Sequence, residues 1–365
     1  MINRAFVTAG AMALAAFLVT TPSLAADKAK PPAAPTKTGT KFVADADMQA
    51  VLDTLASQYG KPIETLEPTE ARKQPTPTDA VMAILKKQGK DTLPTALVPG
   101  VISEDRQIPG AEGPLMTRIY TPVGGGPFPV IVYFHGGGWV IADRVVYDGG
   151  ARGLSKQANA IVVSPDYRLA PENKFPAAWD DALAVYRWVA TNAASINGDP
   201  KRLALAGESA GGNLAISTAV AAREAGLTAP LHIVSVYPVA QTGNMSTESY
   251  VDSAAAKPLN KAMIGWFVDK VFAKPDDAKS PRVDIVNANL RGLPPVTIIN
   301  AQIDPLRSDG QMLEAALKKA DVRVERRNYP GSAHEFFGAA AVVKDAKDAQ
   351  AYAGQRLKQA FGSGS

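Results

Sequence analysis

The stretch Leu203-Ala204-Leu205-Ala206-Gly207-Glu208-Ser209-Ala210-Gly211-Gly212-Asn213-Leu214 decides how the chain is read. Its first four residues form a short apolar run suited to a buried strand, and an Ala-rich helical stretch follows from Ala210 to Ala225. The serine between them, in Gly-Glu-Ser-Ala-Gly, has to turn sharply enough for its hydroxyl to project beyond the strand end. Glycines are required on both sides, because a Cβ at 207 or 211 would collide with neighbouring backbone. The helix that starts behind Ser209 aims its N-terminal amides at any negative charge that develops there. Ser209 is therefore the candidate nucleophile.

The surrounding chain repeats this strand-then-helix texture. Strands are expected at Val101–Ile108, Met116–Thr121, Val130–Phe134, Ile161–Ser164, Leu203–Ala206, Leu231–Tyr237, Val296–Ala301 and Arg323–Tyr329. Helices are expected at Asp148–Ala158, Pro176–Asn192, Ala210–Ala225, Asp309–Ala320 and Ala339–Phe361. The first strands lack an intervening helix and should pair antiparallel; the later runs read as parallel strands joined by helical crossovers. The expected fold class is therefore α/β, with a mostly parallel eight-stranded sheet flanked by helices. Upstream, Met48–Tyr59 and Thr78–Gln88 have helical spacing, the second capped by Thr78 or Asp79. Residues 242–279 are too long for a simple crossover. Their helix carries Met263, Ile264, Trp266, Phe267, Val271 and Phe272, and is read either as core or as a lid.

Two further strand ends carry chemistry. After Val130–Phe134 comes His135-Gly136-Gly137-Gly138-Trp139, where consecutive glycines can present backbone N–H groups to a substrate oxygen. The run Gly124-Gly125-Gly126 is read instead as a hairpin turn. An acid and a base should follow the serine in the order Asp, His. Asp304 follows the seventh strand and His334 the last, and only three histidines exist. His232 lies among Leu231, Ile233 and Val234 and reads as a core residue, while His135 is better placed to order the glycine loop. His334 remains as the base. For the acid, Asp304 is weighed against Asp309 (read as a helix cap), Glu208 (pointing away from the base) and Asp166 (paired with Arg168).

The 365-residue chain has 46% hydrophobic residues, ample for a large core, and a net charge of +4 that points to no nucleic-acid surface. With no cysteine, disulfides, a thiolate nucleophile and zinc–thiolate sites are excluded. Residues 1–25 resemble a cleaved export signal: Arg4, the apolar run Ala5–Val19, then Ser23 and Ala25 before the cleavage point. That run is shorter than the roughly 20 residues a spanning helix needs, so a stable membrane anchor is not expected. The expected location is periplasmic or extracellular in a bacterium. Residues 26–41 read as a flexible Pro/Lys-rich linker.

The motifs HGGGW (135–139), DYRLAPE (166–172), GESAGG (207–212), DPL (304–306) and HEF (334–336) together resemble the hormone-sensitive-lipase-like bacterial esterases and lipases (family IV) of the α/β-hydrolase superfamily. The likeness runs from about residue 45 to the end, DMQAVLD (47–53) and PIETLEPTEAR (62–72) matching that family's N-terminal cap. It implies an α/β-hydrolase domain over 96–361, a helical cap from 42–95 and a cap insertion at 242–279. Ser209 would be nucleophile, His334 base and Asp304 its orienter. The amides of Gly137, Gly138 and Ala210 would form the oxyanion hole, with His135 and Gly136 supporting that loop. Trp139, Trp266, Phe267, Phe336 and Phe337 are candidates for the substrate pocket.

The implied activity is hydrolysis of a small-molecule carboxylic ester of short to medium acyl chain, through an acyl-enzyme and without metal or organic cofactor. The same machinery would also suit deacetylation of a sugar or natural product, or amide or lactone hydrolysis. A non-catalytic ligand receptor on this fold is the remote alternative. The sequence carries no statement of oligomeric state.

Overall fold

Phe128–Phe134, Ile161–Pro165 and Ile233–Val236 are buried along their whole length, as strands covered on both faces must be. They lie inside one eight-stranded sheet in the computed structural model, which describes residues 40–58 and 60–362. The expected signal segment 1–25, and the linker 26–41 apart from its last two residues, lie outside the described residues. The strands are β1 (Val101–Gly110), β2 (Gly113–Pro122), β3 (Phe128–Phe134), β4 (Ile161–Pro165), β5 (Gly198–Glu208), β6 (Ile233–Val236), β7 (Val296–Ile303) and β8 (Val324–Ala333). The spatial order is β1-β2-β4-β3-β5-β6-β7-β8. β1 pairs antiparallel with β2, and β2 with β4; every other neighbour is parallel.

Gly124–Gly126 does not turn a hairpin, because β2 and β3 are not neighbours: β4 lies between them. The crossover from β3 returns the chain on the β2 side, so those glycines belong to a loop that spans a strand.

The helices follow the alternation: α1 (Ala46–Gln58), α2 (Pro68–Ala71), α3 (Pro77–Lys87), α4 (Pro94–Leu97), α5 (Asp148–Ala158), α6 (Ala177–Asn192), α7 (Ala210–Glu224), α8 (Glu248–Asp252), α9 (Lys261–Val271), α10 (Arg307–Lys319) and α11 (Lys344–Ala360). Successive strand residues point to opposite faces, which splits the core in two. Val130, Val132, Leu205 and Ile298 pack with Trp179, Leu214 and Leu313 of α6, α7 and α10. Ile131, Tyr133, Ala206 and Ile299 pack on the other face with Leu154 of α5, Leu357 of α11 and Leu55 of α1.

The α3 cap also differs from expectation. Thr76 accepts from the Asp79 amide at 3.3 Å, and Asp79 accepts from the Thr76 amide at 2.7 Å, a reciprocal box with Pro77 at the first turn. Thr78 instead donates to the Val146 carbonyl at 2.6 Å, which ties α3 to the loop beyond the glycines.

The two non-sheet segments are joined directly. Asn260 caps α9 by accepting from the Met263 amide at 2.8 Å and donates to Glu64 at 3.0 Å. Trp266 donates to the Leu66 carbonyl at 3.1 Å. Both therefore form one cover over the carboxyl ends of the strands. No helix among the described residues is long and apolar enough to cross a membrane.

Candidate active site

β5 ends at Glu208, α7 begins at Ala210, and Ser209 between them has φ 56 and ψ −116. An L-residue holds that conformation only when its surroundings force it. Here they do. The Ser209 amide donates to the Val236 carbonyl at 2.8 Å, and its carbonyl accepts from Val239 at 3.2 Å. A Cβ on Gly207 would strike the Gly211 carbonyl, and one on Gly211 the Phe134 carbonyl. The two flanking glycines are thus dictated by backbone contact.

His334 lies just past β8 and faces both partners. Its Nε2 is 3.0 Å from Ser209 Oγ and its Nδ1 2.8 Å from Asp304 Oδ2. Asp304, fully buried beyond β7, accepts from the Leu306 amide at 2.8 Å through its other oxygen. The Tyr237 ring packs 4.5 Å from the imidazole. Burial pulls the His334 pKa down, but the Asp304 carboxylate outweighs it, with Glu335 adding, and the net direction is up from the ordinary 6.5. This arrangement can take a proton from Ser209 and stabilise the resulting imidazolium.

The other two histidines stand apart from that line. His232 is buried with Nε2 2.9 Å from Thr297 Oγ1, and burial lowers its pKa to about 4. His135 stacks on Tyr167 at 4.2 Å between ring centroids, and its Nδ1 is 2.8 Å from the Gly136 carbonyl. The Tyr167 hydroxyl donates to the His135 carbonyl at 2.9 Å. Burial lowers the pKa of this imidazole from the ordinary 6.5, against the opposing Asp166 carboxylate.

Gly137 and Gly138 adopt φ +91 and +59 and border the cavity beside Ser209. The Gly137 carbonyl accepts from the Val140 and Ile141 amides at 3.0 Å, which folds it into the loop. The first-turn amides of α7, Ala210 among them, have no partner within the helix. Arg72, from the segment after α2, braces the same loop: it donates to the Val140 and Ala170 carbonyls, each at 2.8 Å, and pairs with Glu172.

Two acids, Asp309 and Asp166, differ in their partners from the sequence reading, and Glu208 lies as expected. Asp309 sits in the first turn of α10 but does not cap it; it accepts from the Ala240 amide at 2.9 Å and the Gln241 amide at 3.3 Å. Burial raises its pKa to about 7. Asp166 pairs with Arg144 rather than Arg168, because Arg168 reaches back to the buried Asp181 on α6. Glu208 points away from His334 and contacts the Tyr133 and Tyr237 hydroxyls; burial, with Glu335 adding, pushes its carboxyl well up.

The cavity over Ser209 has a volume of about 340 Å³, within the range usual for small-molecule sites. The cover contributes Ile63, Ala71, Leu259, Met263 and Phe267 to its walls. Of the five aromatics expected there, only Phe267 borders it. Phe336 and Phe337 are fully buried in the core, Trp139 packs on Trp179 at 4.8 Å, and Trp266 turns to Leu66. Sequence reasoning missed Glu335 and Tyr147, which also line the cavity. The Tyr147 hydroxyl donates to Glu335 Oε1 at 2.6 Å. The only signal for Glu335 was its position next to His334.

Known proteins resemble this chain in sequence and in fold. A family model described as alpha/beta hydrolase fold matches residues 131–338. The chain is 38% identical over 275 residues to "Carboxylesterase NlhH" of Mycobacterium tuberculosis, covering 73% of this chain and 86% of that one. It is 39% identical over 251 residues to "Esterase LipI" of the same organism, covering 67% and 78%. Among solved structures, an esterase of Pyrobaculum calidifontis superposes with a TM-score of 0.76 at 33% identity, covering 87% of this chain and 98% of that one.

Proposed function

From the premise that this chain belongs to the α/β-hydrolase family, in its hormone-sensitive-lipase-like branch, and is a serine carboxylic-ester hydrolase, we propose that Ser209, His334 and Asp304 carry the reaction. The observation behind this assignment is the single imidazole that bridges Ser209 Oγ at 3.0 Å and Asp304 Oδ2 at 2.8 Å.

His334 takes the Ser209 proton as Oγ attacks the ester carbonyl, and Asp304 stabilises the imidazolium and keeps the ring oriented. The carbonyl oxygen, now negative, rests on the amides of Gly137, Gly138 and Ala210; each such donor typically lowers the barrier by about 2.7–4 kcal/mol. His334 then protonates the departing alcohol, and water releases the acid from Ser209.

The preferred substrates carry short to medium acyl chains. A cavity of about 340 Å³ whose cover side is lined by Ile63, Ala71, Leu259, Met263 and Phe267 supports that range. Residues 42–95 and 242–279 act together as the cap that sets it. Residues 1–25 direct export, and the mature protein works outside the cytoplasm; the charge and apolar pattern of that segment supports this.

The test is hydrolysis of p-nitrophenyl esters of increasing chain length by the wild type and Ser209→Ala. Activity should peak on short chains and fall by about 10⁴-fold or more in the variant. Retention of most activity would overturn the assignment of Ser209.

A further inference from the structure

We propose that Glu335 positions the water that hydrolyses the acyl-enzyme. The inference rests on the assignment of Ser209 and His334 above, and adds a residue for the second half-reaction.

Glu335 has φ +67, a left-handed conformation that favours glycine, so its side chain is held at this place against backbone preference. The carboxylate borders the cavity, and the side chain is 20% exposed. Oε1 lies 3.7 Å from His334 Nε2. That is too long for a direct hydrogen bond, and close enough for one water to contact both groups at once. Tyr147 holds the carboxylate in place by donating to the same Oε1 at 2.6 Å. Gly136 makes room for that hydroxyl, since a Cβ there would overlap it. The other acids of the cavity are turned elsewhere: Asp166 to Arg144, and Asp143 to the Val145 and Val146 amides.

Once the alcohol has left, water directs one O–H at His334 Nε2 and the other at the Glu335 carboxylate. The water oxygen bonds to the acyl carbon, its first proton passes to Nε2, and the carbonyl electron pair moves onto the oxygen held by the loop amides. The intermediate collapses, the bond to Ser209 Oγ breaks, and Oγ takes the proton back from His334. Glu335 gains and loses no proton. It is a positioning residue that fixes where the attacking oxygen sits. Acylation offers it no comparable task, because a bound ester has no second water hydrogen to hold.

The test uses the whole chain and p-nitrophenyl butyrate, with Glu335→Ala and the more conservative Glu335→Gln. In Glu335→Ala, kcat should fall about tenfold, the effect of one lost positioning contact, with KM falling in proportion and kcat/KM unchanged. A burst of about one p-nitrophenol per enzyme should appear, and acid quenching should recover the butyryl adduct. Glu335→Gln, which keeps an acceptor oxygen, should lie between the variant and wild type. Methanol has one O–H and needs no second acceptor, so added methanol should give about a tenfold higher ratio of methyl butyrate to butyrate in Glu335→Ala than in wild type. Unbroken acylation also shows that the variant is folded.

Unchanged kcat, or kcat and kcat/KM falling together with no adduct and no change in methanol partitioning, would overturn the role of Glu335. Absence of any adduct on Ser209 in the wild type under rapid quench, with Ser209→Ala still active, would instead overturn the reading beneath it.

Discussion

The strand ends and the cover meet across one cavity, and they are held together in different ways. At the strand ends, backbone touches backbone. Gly207 and Gly211 leave no room for a Cβ, Ser209 is locked by Val236 and Val239, and Asp304 is buried with both oxygens engaged. The cover is built of side chains: Ile63, Met263 and Phe267 form its inner wall, and a few bonds such as Asn260 to Glu64 join its two segments. Close-packed backbone cannot relax around an added atom, whereas an apolar wall can be resized. This contrast is why we propose that the strand ends govern whether the reaction runs and the cover which acyl chain is accepted.

Substitutions on the two sides should separate these roles. Gly211→Ala puts a methyl against the Phe134 carbonyl and must shift the elbow, so kcat/KM on every ester should fall by about 100-fold or more. A uniform loss across chain lengths is the signature. Phe267→Ala opens the cavity wall, and should raise kcat/KM for hexanoate relative to acetate by about tenfold while the acetate rate changes little. An equal change on both esters would mean that the wall does not read chain length.

A smaller effect probes charge within the strand-end site. In the proposed mechanism His334 must be neutral to accept the Ser209 proton; burial lowers its pKa, but Asp304 outweighs this and the net direction is up from 6.5. Activity should therefore be lost as pH falls through that raised value, so the acidic limb of kcat/KM lies above 6.5. Glu335 also favours the charged ring. Removing its negative charge in Glu335→Gln should move the limb to lower pH, while Phe267→Ala leaves it in place.

The same contrast explains what was legible in the sequence. The elbow is local: a strand, two sterically required glycines and a helix start lie within a dozen residues, and all eight strands overlap the runs expected for them. The strand order was less accessible, because only the returning crossover places β4 between β2 and β3. The partners of Asp309 and Asp166 come from distant loops, so adjacency in sequence suggested the wrong ones. Aromatic residues mislead for another reason. Phe336 in the core and Phe267 at the cavity are both large and apolar, and spacing alone does not say which one a ligand meets. Tyr147 and Glu335, 188 residues apart, meet only in the folded chain.

In the proposed mechanism Ser209 is the hydroxyl activated for attack. The most direct measurement is labelling by a fluorophosphonate, followed by peptide mass spectrometry. The expected result is a single adduct on the peptide that contains Ser209, formed in step with loss of esterase activity and absent in Ser209→Ala. Complete inactivation with the adduct on another residue, or full labelling of Ser209 with activity intact, would contradict it.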